Sequence, residues 1–267
     1  RSRTTTRSTA PKARRLATRL RRDAMRRQQT RRVSRERWMH MLNTLLFAVM
    51  PYIAIVLFLV ISIQRYRNNP FTFSSLSSQF LETRRLFWGS VPFHIGILVL
   101  FFGHLVGFLV PRQVTVWNRL PVRLFVLEAT ALTAALLCLV GLVGLIYRRA
   151  TSDRLRANFS VADVGVYVLL AFQIGTGLWV ALSLRWGSAW YTHTAVPYLW
   201  SIVRFSPEIQ RVAELPLAAR MHIVGAWVLF ASFSFTRLVH VLVAPVPYLW
   251  RPLQLVIWNR PRVRGGV

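Results

Sequence analysis

The chain has 267 residues, 54% of them hydrophobic, and a formal net charge of +27 at pH 7. Its mean hydropathy of +0.40 is too apolar for a water-soluble domain of this length. The single cysteine, Cys138, excludes a disulfide framework within the chain and an iron–sulfur cluster held by its cysteines.

The first 39 residues form a basic tail with few apolar side chains. They carry 15 of the 35 basic residues but only two acidic ones, Asp23 and Glu36. Because such a segment cannot bury a core, residues 1–37 are predicted to be disordered or peripheral. Arg- and Ser-rich, acid-poor N-termini are also typical of organelle transit peptides. The tail has no interleaved aromatic residues or folded recognition motif, which argues against nucleic acid as a partner.

Five apolar segments follow, each long enough to cross a bilayer, since about 20 apolar residues span a hydrocarbon core of about 30 Å. We therefore predict an all-α integral membrane protein, in which residues 40–250 form a bundle of five transmembrane helices. Pro51 is expected to kink the first span. The predicted spans lie at about 41–63, 91–111, 121–147, 162–184 and 221–243.

The segment between the fourth and fifth spans, residues 186–220, is too polar to cross the membrane. It is rich in proline and tryptophan, and because Trp favours membrane interfaces we predict short amphipathic helices there. Asp163, at the start of the fourth span, is predicted to be the N-cap of its helix.

Arginines in the short loops predict the orientation, because cytoplasmic loops carry an excess of basic residues. Loops 64–90 and 148–161 together with the C-terminus hold twelve arginines, against seven on the other side, and are predicted to lie inside. With five spans the basic tail then lies outside, although its own charge favours the inside. The loops carry more weight, because a tail can be removed or bound by a partner.

Four of the six histidines lie within the predicted spans, where a polar group costs several kcal/mol unless it is paired or ligated. His94 and His104 are ten residues apart, about 15 Å along a helix, and His222 and His240 are eighteen apart, about 27 Å. Neither pair can therefore share one iron. Eighteen residues make five whole turns, which predicts that His222 and His240 point from one face of a continuous helix.

The directions of the helices predict that each histidine of span two pairs with one histidine of span five. Spans two and five run in opposite directions, so His94 should face His240 at the inner side and His104 should face His222 at the outer side. We predict that each of these pairs holds a b-type haem, with helix tilt absorbing the unequal spacings. Polar packing between helices or a proton relay is the alternative. The other two histidines, His40 and His193, lie outside the predicted spans.

Residues near the four histidines are candidate haem contacts. Gly96, Gly103 and Gly107 would let a flat macrocycle approach the backbone, although small residues also serve helix packing. Arg220 and Arg237 flank the span-five histidines and are candidate partners of haem propionates, the alternative being interfacial snorkelling.

The sequence around these histidines resembles a known family. FHIGILVLFFGHLVGFLVP in span two, RMHIVGAW at His222 and FTRLVHVLVAPVPYLWRPLQLV at His240 are similar to the gamma subunit of membrane-bound respiratory nitrate reductase. MPYIAIVLFLVISIQRYRNNPFTFSSLSSQFLE in the first span is similar as well, so the resemblance runs from about residue 45 to 257. It implies a di-haem cytochrome b that oxidises quinol, with a proximal haem at His94 and His240 and a distal haem at His104 and His222.

The resemblance also implies partners. Electrons would pass to an iron–sulfur beta subunit and on to a molybdenum-containing alpha subunit that reduces nitrate to nitrite. The C-terminal tail, residues 251–267, would contact these subunits. The implied location is the bacterial inner membrane, with the N-terminus outside and the C-terminus inside. An organelle inner membrane is the alternative if the tail is a transit peptide.

One departure from the family concerns the quinol site. The family has a lysine at the start of the third span, where this chain has PVRLFVLE. Arg123 is the nearest cation and could hold a quinone carbonyl, but its permanent charge makes it a poor proton acceptor. Glu128, about a turn and a half deeper, is the hypothetical acceptor of a quinol proton, the alternative being a mere interfacial carboxylate.

Two other functions stay open at this point. Related di-haem cytochrome b subunits serve sulfur-cycle and heterodisulfide-type reductases, and only the resemblance selects nitrate as the terminal acceptor. A non-enzymatic membrane protein whose tail binds nucleic acid or lipid would rest on charge alone.

Overall fold

The computed structural model describes residues 10–69, 84–153, 160–184 and 186–242. Within these ranges every regular element is helical, which confirms the all-α class. The predicted C-terminal tail, 251–267, lies outside the described residues. Five helical stretches are long and apolar enough to cross a membrane: Met25–Asn68, Phe87–Leu109, Pro121–Thr151, Val161–Ser183 and Leu217–Phe235.

The first span continues from a long N-terminal helix. Helix α1 covers Ala10–Thr44, a π-helical turn covers Leu45–Val49, and α2 covers Met50–Asn68. Disorder was one expectation for the tail, but its described part is helical, because it is rich in Arg, Ala and Gln and holds no Gly or Pro after position 11. The widened turn stands directly before Pro51, whose ring lacks an N–H and clashes with the preceding turn.

Spans two and three form the most extensive helix pair in the described fold. Helix α3 covers Arg84–Leu109, the short α4 covers Pro111–Trp117, and α5 covers Pro121–Thr151. A Cβ added to Gly96 would lie 2.8 Å from the backbone nitrogen of Cys138, so this glycine lets α3 and α5 approach closely. Gly96 therefore serves helix packing, the alternative noted for it above.

The fourth span, α6, covers Val161–Ser183 and begins with a capping box. The backbone N–H of Asp163 donates to Ser160 Oγ at 3.2 Å, and Asp163 Oδ2 accepts from the backbone N–H of Ser160 at 3.1 Å. The prediction that Asp163 is the N-cap was wrong. Ser160 caps the helix, and Asp163 is the residue three positions later that reaches back.

The connection 186–220 folds into short helices, as predicted. These are α7 (Gly187–Trp190), a π-helical turn (Tyr191–Ala195), α8 (Val196–Val203) and α9 (Gln210–Ala213). Tyr198 is fully buried and donates to the carbonyl oxygen of Phe47 at 2.8 Å, which ties this connection to the first span.

The fifth span is not one continuous helix, and the prediction of a helix over 221–243 was wrong. Helix α10 covers Leu217–Ser232, and a 3-10 turn covers Phe233–Phe235. Thr236 is extended, with φ −118° and ψ −179°, and a second 3-10 turn covers Arg237–Leu242. We call residues 233–242 the elbow.

The local sequence SFSFT explains why the helix stops at the elbow. Ser232 Oγ donates to the carbonyl of Leu229 at 2.7 Å, and Thr236 Oγ1 accepts from the backbone N–H of Leu238 at 3.3 Å. Hydroxyls that bond the local backbone compete with helical hydrogen bonds. His222 and His240 therefore do not lie five turns apart on one helix, and the face-sharing argument fails.

Candidate functional site

His94 on α3 and His240 on the elbow lie side by side. Their ring centroids are 6.3 Å apart and their planes are inclined by 65°. Two metal–nitrogen bonds of about 2 Å and two ring radii of about 1.1 Å place the centroids of opposed axial imidazoles about 6 Å apart. We call these residues the 94/240 pair, and their spacing fits two axial ligands of one haem iron.

Three of the four span histidines are oriented by their own backbone. In each, Nδ1 lies 2.6–2.7 Å from a carbonyl oxygen three or four residues earlier, which can only accept. The proton therefore resides on Nδ1, which leaves the Nε2 lone pair for a metal. The bonds join His94 to Ser90, His104 to Leu100 and His240 to Arg237.

His222 on α10 is held instead by side chains of α6. The sequence pairs it with His104 on α3, and we call these residues the 104/222 pair. Thr176 Oγ1 donates to the carbonyl of Phe172 at 2.8 Å, so it accepts from His222 Nδ1–H, which is 3.2 Å away. This bond again places the ring proton on Nδ1.

The Nε2 side of His222 has a protein neighbour. The amide nitrogen of Gln173 lies 3.2 Å from His222 Nε2 and 3.1 Å from Nδ1, while its amide oxygen is buried without a hydrogen-bond partner. A donor in line with the Nε2 lone pair would lie much farther from Nδ1 than from Nε2, so the nearly equal distances place the Gln173 amide over the face of the imidazole. Gln173 therefore does not occupy the in-plane lone pair of His222 Nε2.

The remaining glycines of span two have different neighbours. A Cβ on Gly107 would lie 2.8 Å from the ring of Tyr191, whereas a Cβ on Gly103 would meet nothing within 4 Å. Gly103 is adjacent to His104 and therefore leaves open space beside that histidine. Of the three predicted glycines, only Gly103 offers the room that a flat macrocycle needs.

The elbow that carries His240 is clamped by α2. Ser62 Oγ and Ser234 Oγ are 2.7 Å apart and buried, and Arg65 Nη1 donates to the carbonyls of Ser234 at 2.9 Å and Thr236 at 3.2 Å. Carbonyls at a helix end have no intrahelical donor, and Arg65 supplies one. Sequence reasoning missed this clamp. The available signal was the polar pair Ser62 and Arg65 near the end of an apolar span, on one helix face.

The two arginines proposed for haem propionates both have protein partners. Arg237 Nε lies 2.8 Å from Asp163 Oδ1, and the Asp163 side chain is only 7% exposed. Arg220 Nη2 donates to Asn43 Oδ1 at 2.9 Å, while its Nε is buried without a partner. Arg237 thus fastens the elbow to the start of α6, and Arg220 fastens α10 to α1.

Glu128 and Arg123, both on α5, contact different neighbours. Glu128 Oε1 accepts from the backbone N–H of Ser188 at 2.8 Å and from its hydroxyl at 2.7 Å. The guanidinium of Arg123 lies 4.6 Å from the ring centroid of Trp117 on α4. Five residues rotate the helix position by about 140°. The structure therefore does not bring the two predicted quinol-site residues together.

The connection between spans four and five covers the end of α3 that carries His104. The Tyr191 hydroxyl donates to the His104 carbonyl at 3.0 Å, and the two rings are 5.2 Å apart. Burial raises the pKa of Tyr191 to about 12. Trp200 donates to the carbonyl of Phe108 at 3.1 Å. These contacts were not predicted, since the sequence shows only that the segment suits an interface.

Comparison with known proteins places this architecture in context. A family model described as nitrate reductase gamma subunit matches residues 43–259. The nitrate reductase gamma chain of Bacillus subtilis (strain 168) is 34% identical over 79% of this chain and 96% of its own length. The respiratory nitrate reductase 2 gamma chain of Escherichia coli (strain K12) is 35% identical over 80% of this chain and 96% of its own. The nitrate reductase-like protein NarX of Mycobacterium tuberculosis is 34% identical over 84% of this chain, which spans 36% of that protein.

Proposed function

The chain belongs to the nitrate reductase gamma subunit family, and from this premise we propose that it is the quinol-oxidising di-haem cytochrome b subunit of a respiratory nitrate reductase. The single observation that carries the proposal is the 94/240 pair. Its rings stand 6.3 Å apart, and both Nδ1 atoms are bonded to backbone carbonyls. Such preorganised Nε2 atoms would be suited to hold one haem iron.

Each histidine pair would hold one haem. His94 and His240 would ligate the proximal haem, and His104 and His222 the distal haem, with Gly103 leaving room beside His104. When bound, the two haems supply one-electron transfer between membrane quinol and the partner subunits. Those partners would be an iron–sulfur beta subunit and a molybdenum-containing alpha subunit, which performs the nitrate reduction. We propose a cell-membrane location with the N-terminus outside and the C-terminus inside.

Glu128 is the proposed acceptor of a quinol proton. Ser188 orients its carboxylate with two hydrogen bonds, and Tyr191 in the same connection bonds the His104 carbonyl. The contacts of Arg123 with Trp117 do not support its role in holding a quinone carbonyl, which stays a prediction.

Glu128→Gln tests the proton role, because the amide oxygen of Gln still accepts from Ser188 while the proton acceptor is lost. We expect quinol oxidation to fall at least tenfold, within the range of general-base removal. Ser188→Ala is the matched control, since it weakens the orientation but keeps the carboxylate. Full quinol oxidation by the Gln variant, with both haems loaded, would exclude Glu128 from this role.

A redox difference spectrum of the purified protein tests the main proposal. We expect two b-type components and a haem content of about two per chain, with reduction by a soluble quinol analogue. Absence of reducible b-type bands would overturn the proposal and favour a non-enzymatic membrane protein. If dithionite reduces the haems but the quinol analogue does not, quinol oxidation would be excluded while haem binding would stand. Co-purification with a molybdenum-containing partner that reduces nitrate separates this function from that of a sulfur-cycle or heterodisulfide-type reductase.

A further inference from the structure

An ion pair joins the elbow to the start of α6. Arg237 Nε lies 2.8 Å from Asp163 Oδ1, and the two side chains are 40% and 7% exposed. The second carboxylate oxygen, Oδ2, accepts from the backbone N–H of Ser160. Because both oxygens accept, Asp163 is ionised, and it holds a negative charge in a place that water hardly reaches.

The same arginine also orients His240. The carbonyl oxygen of Arg237 lies 2.6 Å from His240 Nδ1, and the 3-10 turn Arg237–Leu242 places the two residues one turn apart. His240 in turn lies beside His94, with ring centroids 6.3 Å apart. The carboxylate of Asp163 is therefore connected to the 94/240 pair through a single residue.

Helix capping does not account for the charge of Asp163. Ser160 Oγ accepts from the backbone N–H of Asp163, and this bond does not depend on the side chain at that position. The reciprocal bond needs only an oxygen that accepts, which an asparagine would also supply. Because a buried carboxylate costs free energy unless it is paired, its charge points to a role that involves Arg237.

The charge of this ion pair matters for an iron held by the 94/240 pair. An oxidised haem carries one more positive charge than a reduced one, so a nearby anion favours the oxidised form and a nearby cation favours the reduced form. Charges that are sheltered from solvent are screened little by salt. With both members present the ion pair contributes almost no net charge, whereas either member alone would leave an uncompensated charge close to His240.

We propose that Asp163 is a positioning residue for the haem site at the 94/240 pair. It holds the Arg237 guanidinium at the elbow and cancels its charge, and it thereby sets the midpoint potential of that haem. The inference rests on the proposed function in one respect, namely that this pair holds a haem. It goes further by naming what sets the potential, and with it the driving force of electron transfer between the two pairs.

Redox titration of the purified full chain tests the charge balance, at pH 9 so that an unpaired carboxylate stays ionised. Asp163→Asn keeps the capping bonds but leaves the cation uncompensated, and we expect a higher midpoint potential for the 94/240 haem. Arg237→Gln leaves the anion uncompensated and should lower that potential. The double variant Asp163→Asn/Arg237→Gln should return it towards the wild-type value, since neither charge remains. The potential of the 104/222 haem should be unchanged in all three variants.

The matched control is the exposed ion pair between Glu208 and Arg211, which lies in the connection between spans four and five. Glu208→Gln and Arg211→Gln remove the same charges one at a time. Neither control variant should change the potential of the 94/240 haem.

Three outcomes would overturn the inference. They are shifts in the same direction in both single variants, a double variant that departs from the wild type further than either single variant, and no shift in any variant. If Arg237→Gln loses the haem, Arg237→Lys replaces it. Its ammonium keeps the charge, so the potential should stay near that of the wild type, and a shift as large as that of Asp163→Asn would count against the inference.

The same titration separates this inference from the proposed function. A wild-type chain without b-type bands would overturn both. Two haems whose potentials do not respond to the substitutions at Asp163 and Arg237 would leave the proposed function standing and overturn the inference alone.

Discussion

The two histidine pairs of this bundle are built in different ways. In the 94/240 pair, backbone carbonyls orient both imidazoles, and the elbow that carries His240 is held by α2 and α6. In the 104/222 pair, His104 is oriented by its backbone, but His222 depends on the side chains of Thr176 and Gln173. The two pairs are therefore held in place by different contacts, and each pair should respond to its own set of substitutions.

Replacing one of the four histidines should have the largest effect on haem content, and it tests how the histidines are assigned to two pairs. We expect His94→Ala and His240→Ala each to lose the same haem, and His104→Ala and His222→Ala each to lose the other, because an iron held by one imidazole is poorly retained. Haem content should fall from about two per chain to about one, measured with the redox difference spectrum. His193→Ala, at an exposed residue outside the spans, should keep both haems. Loss of the same haem in His94→Ala and His104→Ala would refute the pairing.

Weakening the contacts between α2 and the elbow should have the next largest effect on haem binding. Arg65→Met removes the donor to the carbonyls of Ser234 and Thr236, and a buried polar group without a partner costs about 1–3 kcal/mol. We expect the haem of the 94/240 pair to lose occupancy or shift in midpoint potential, while that of the 104/222 pair stays unchanged. Redox titration of the two components measures this. Arg65→Lys should keep part of the wild-type haem occupancy, because an ammonium group still donates a hydrogen bond.

Arg67→Met is the matched control for the clamp, because it removes an exposed arginine two residues further along α2. A change of both haem components to the same extent in Arg65→Met would indicate general destabilisation. That result would remove Arg65 from a role specific to His240.

The sequence predicts the fold well because the membrane imposes a simple length rule. Five apolar segments of about 20 residues identify the spans, and opposite helix directions bring His94 to His240 without any structural information. The break in the fifth span was missed, because a hydropathy pattern does not show where Ser and Thr hydroxyls divert backbone hydrogen bonds. SFSFT is apolar enough to continue the span, and only the contacts of Ser234 and Thr236 show that the helix stops there.

The sequence also did not predict the polar contacts between residues that are far apart along the chain. Arg237 reads as a haem-propionate candidate by its position beside His240, yet it binds Asp163, which is 74 residues away along the chain. Which side chain a charged group meets depends on how helices are rotated about their axes. Apolar periodicity determines that rotation poorly when most faces contact lipid.

Thr176 and Gln173 provide two substitutions with different expected effects on haem retention at the same imidazole. Thr176→Val removes the acceptor of His222 Nδ1–H, a bond worth about 1 kcal/mol, and should weaken haem retention at the 104/222 pair about fivefold. Gln173→Leu removes an amide that lies over the ring face and a buried, unpartnered oxygen, and should change retention there little. Haem dissociation rates, followed by transfer to an apo-globin, measure both changes.

Thr130→Val is the control for this pair, because its hydroxyl bonds the carbonyl of Val126 on the same helix, as the Thr176 hydroxyl bonds that of Phe172. It should leave both haems unaffected. Markedly weaker retention in Gln173→Leu would show that the amide over the ring helps to hold the imidazole in place.

Tyr191→Phe should have the smallest effect on the haems. It tests whether the connection that covers the end of α3 also positions His104. The variant loses the hydrogen bond to the His104 carbonyl, and we expect a loss of about 1 kcal/mol at neutral pH. His104 keeps its own bond to Leu100, so the haem components should hardly change. Thermal unfolding in detergent measures the loss of stability, and a marked shift of the 104/222 haem would show that Tyr191 also positions the ligand.

The same hydroxyl adds a pH signature, because the pKa of Tyr191 is raised from 10 to about 12 by burial. Below pH 10 the phenol is protonated whether folded or unfolded, and its contribution to stability is constant. Between pH 10 and about 12 only the unfolded chain releases the proton, so stability falls as pH rises. The difference in melting temperature between wild type and Tyr191→Phe should therefore be constant from pH 7 to 9 and shrink above pH 10. A narrowing already present below pH 9 would assign the transition to another group.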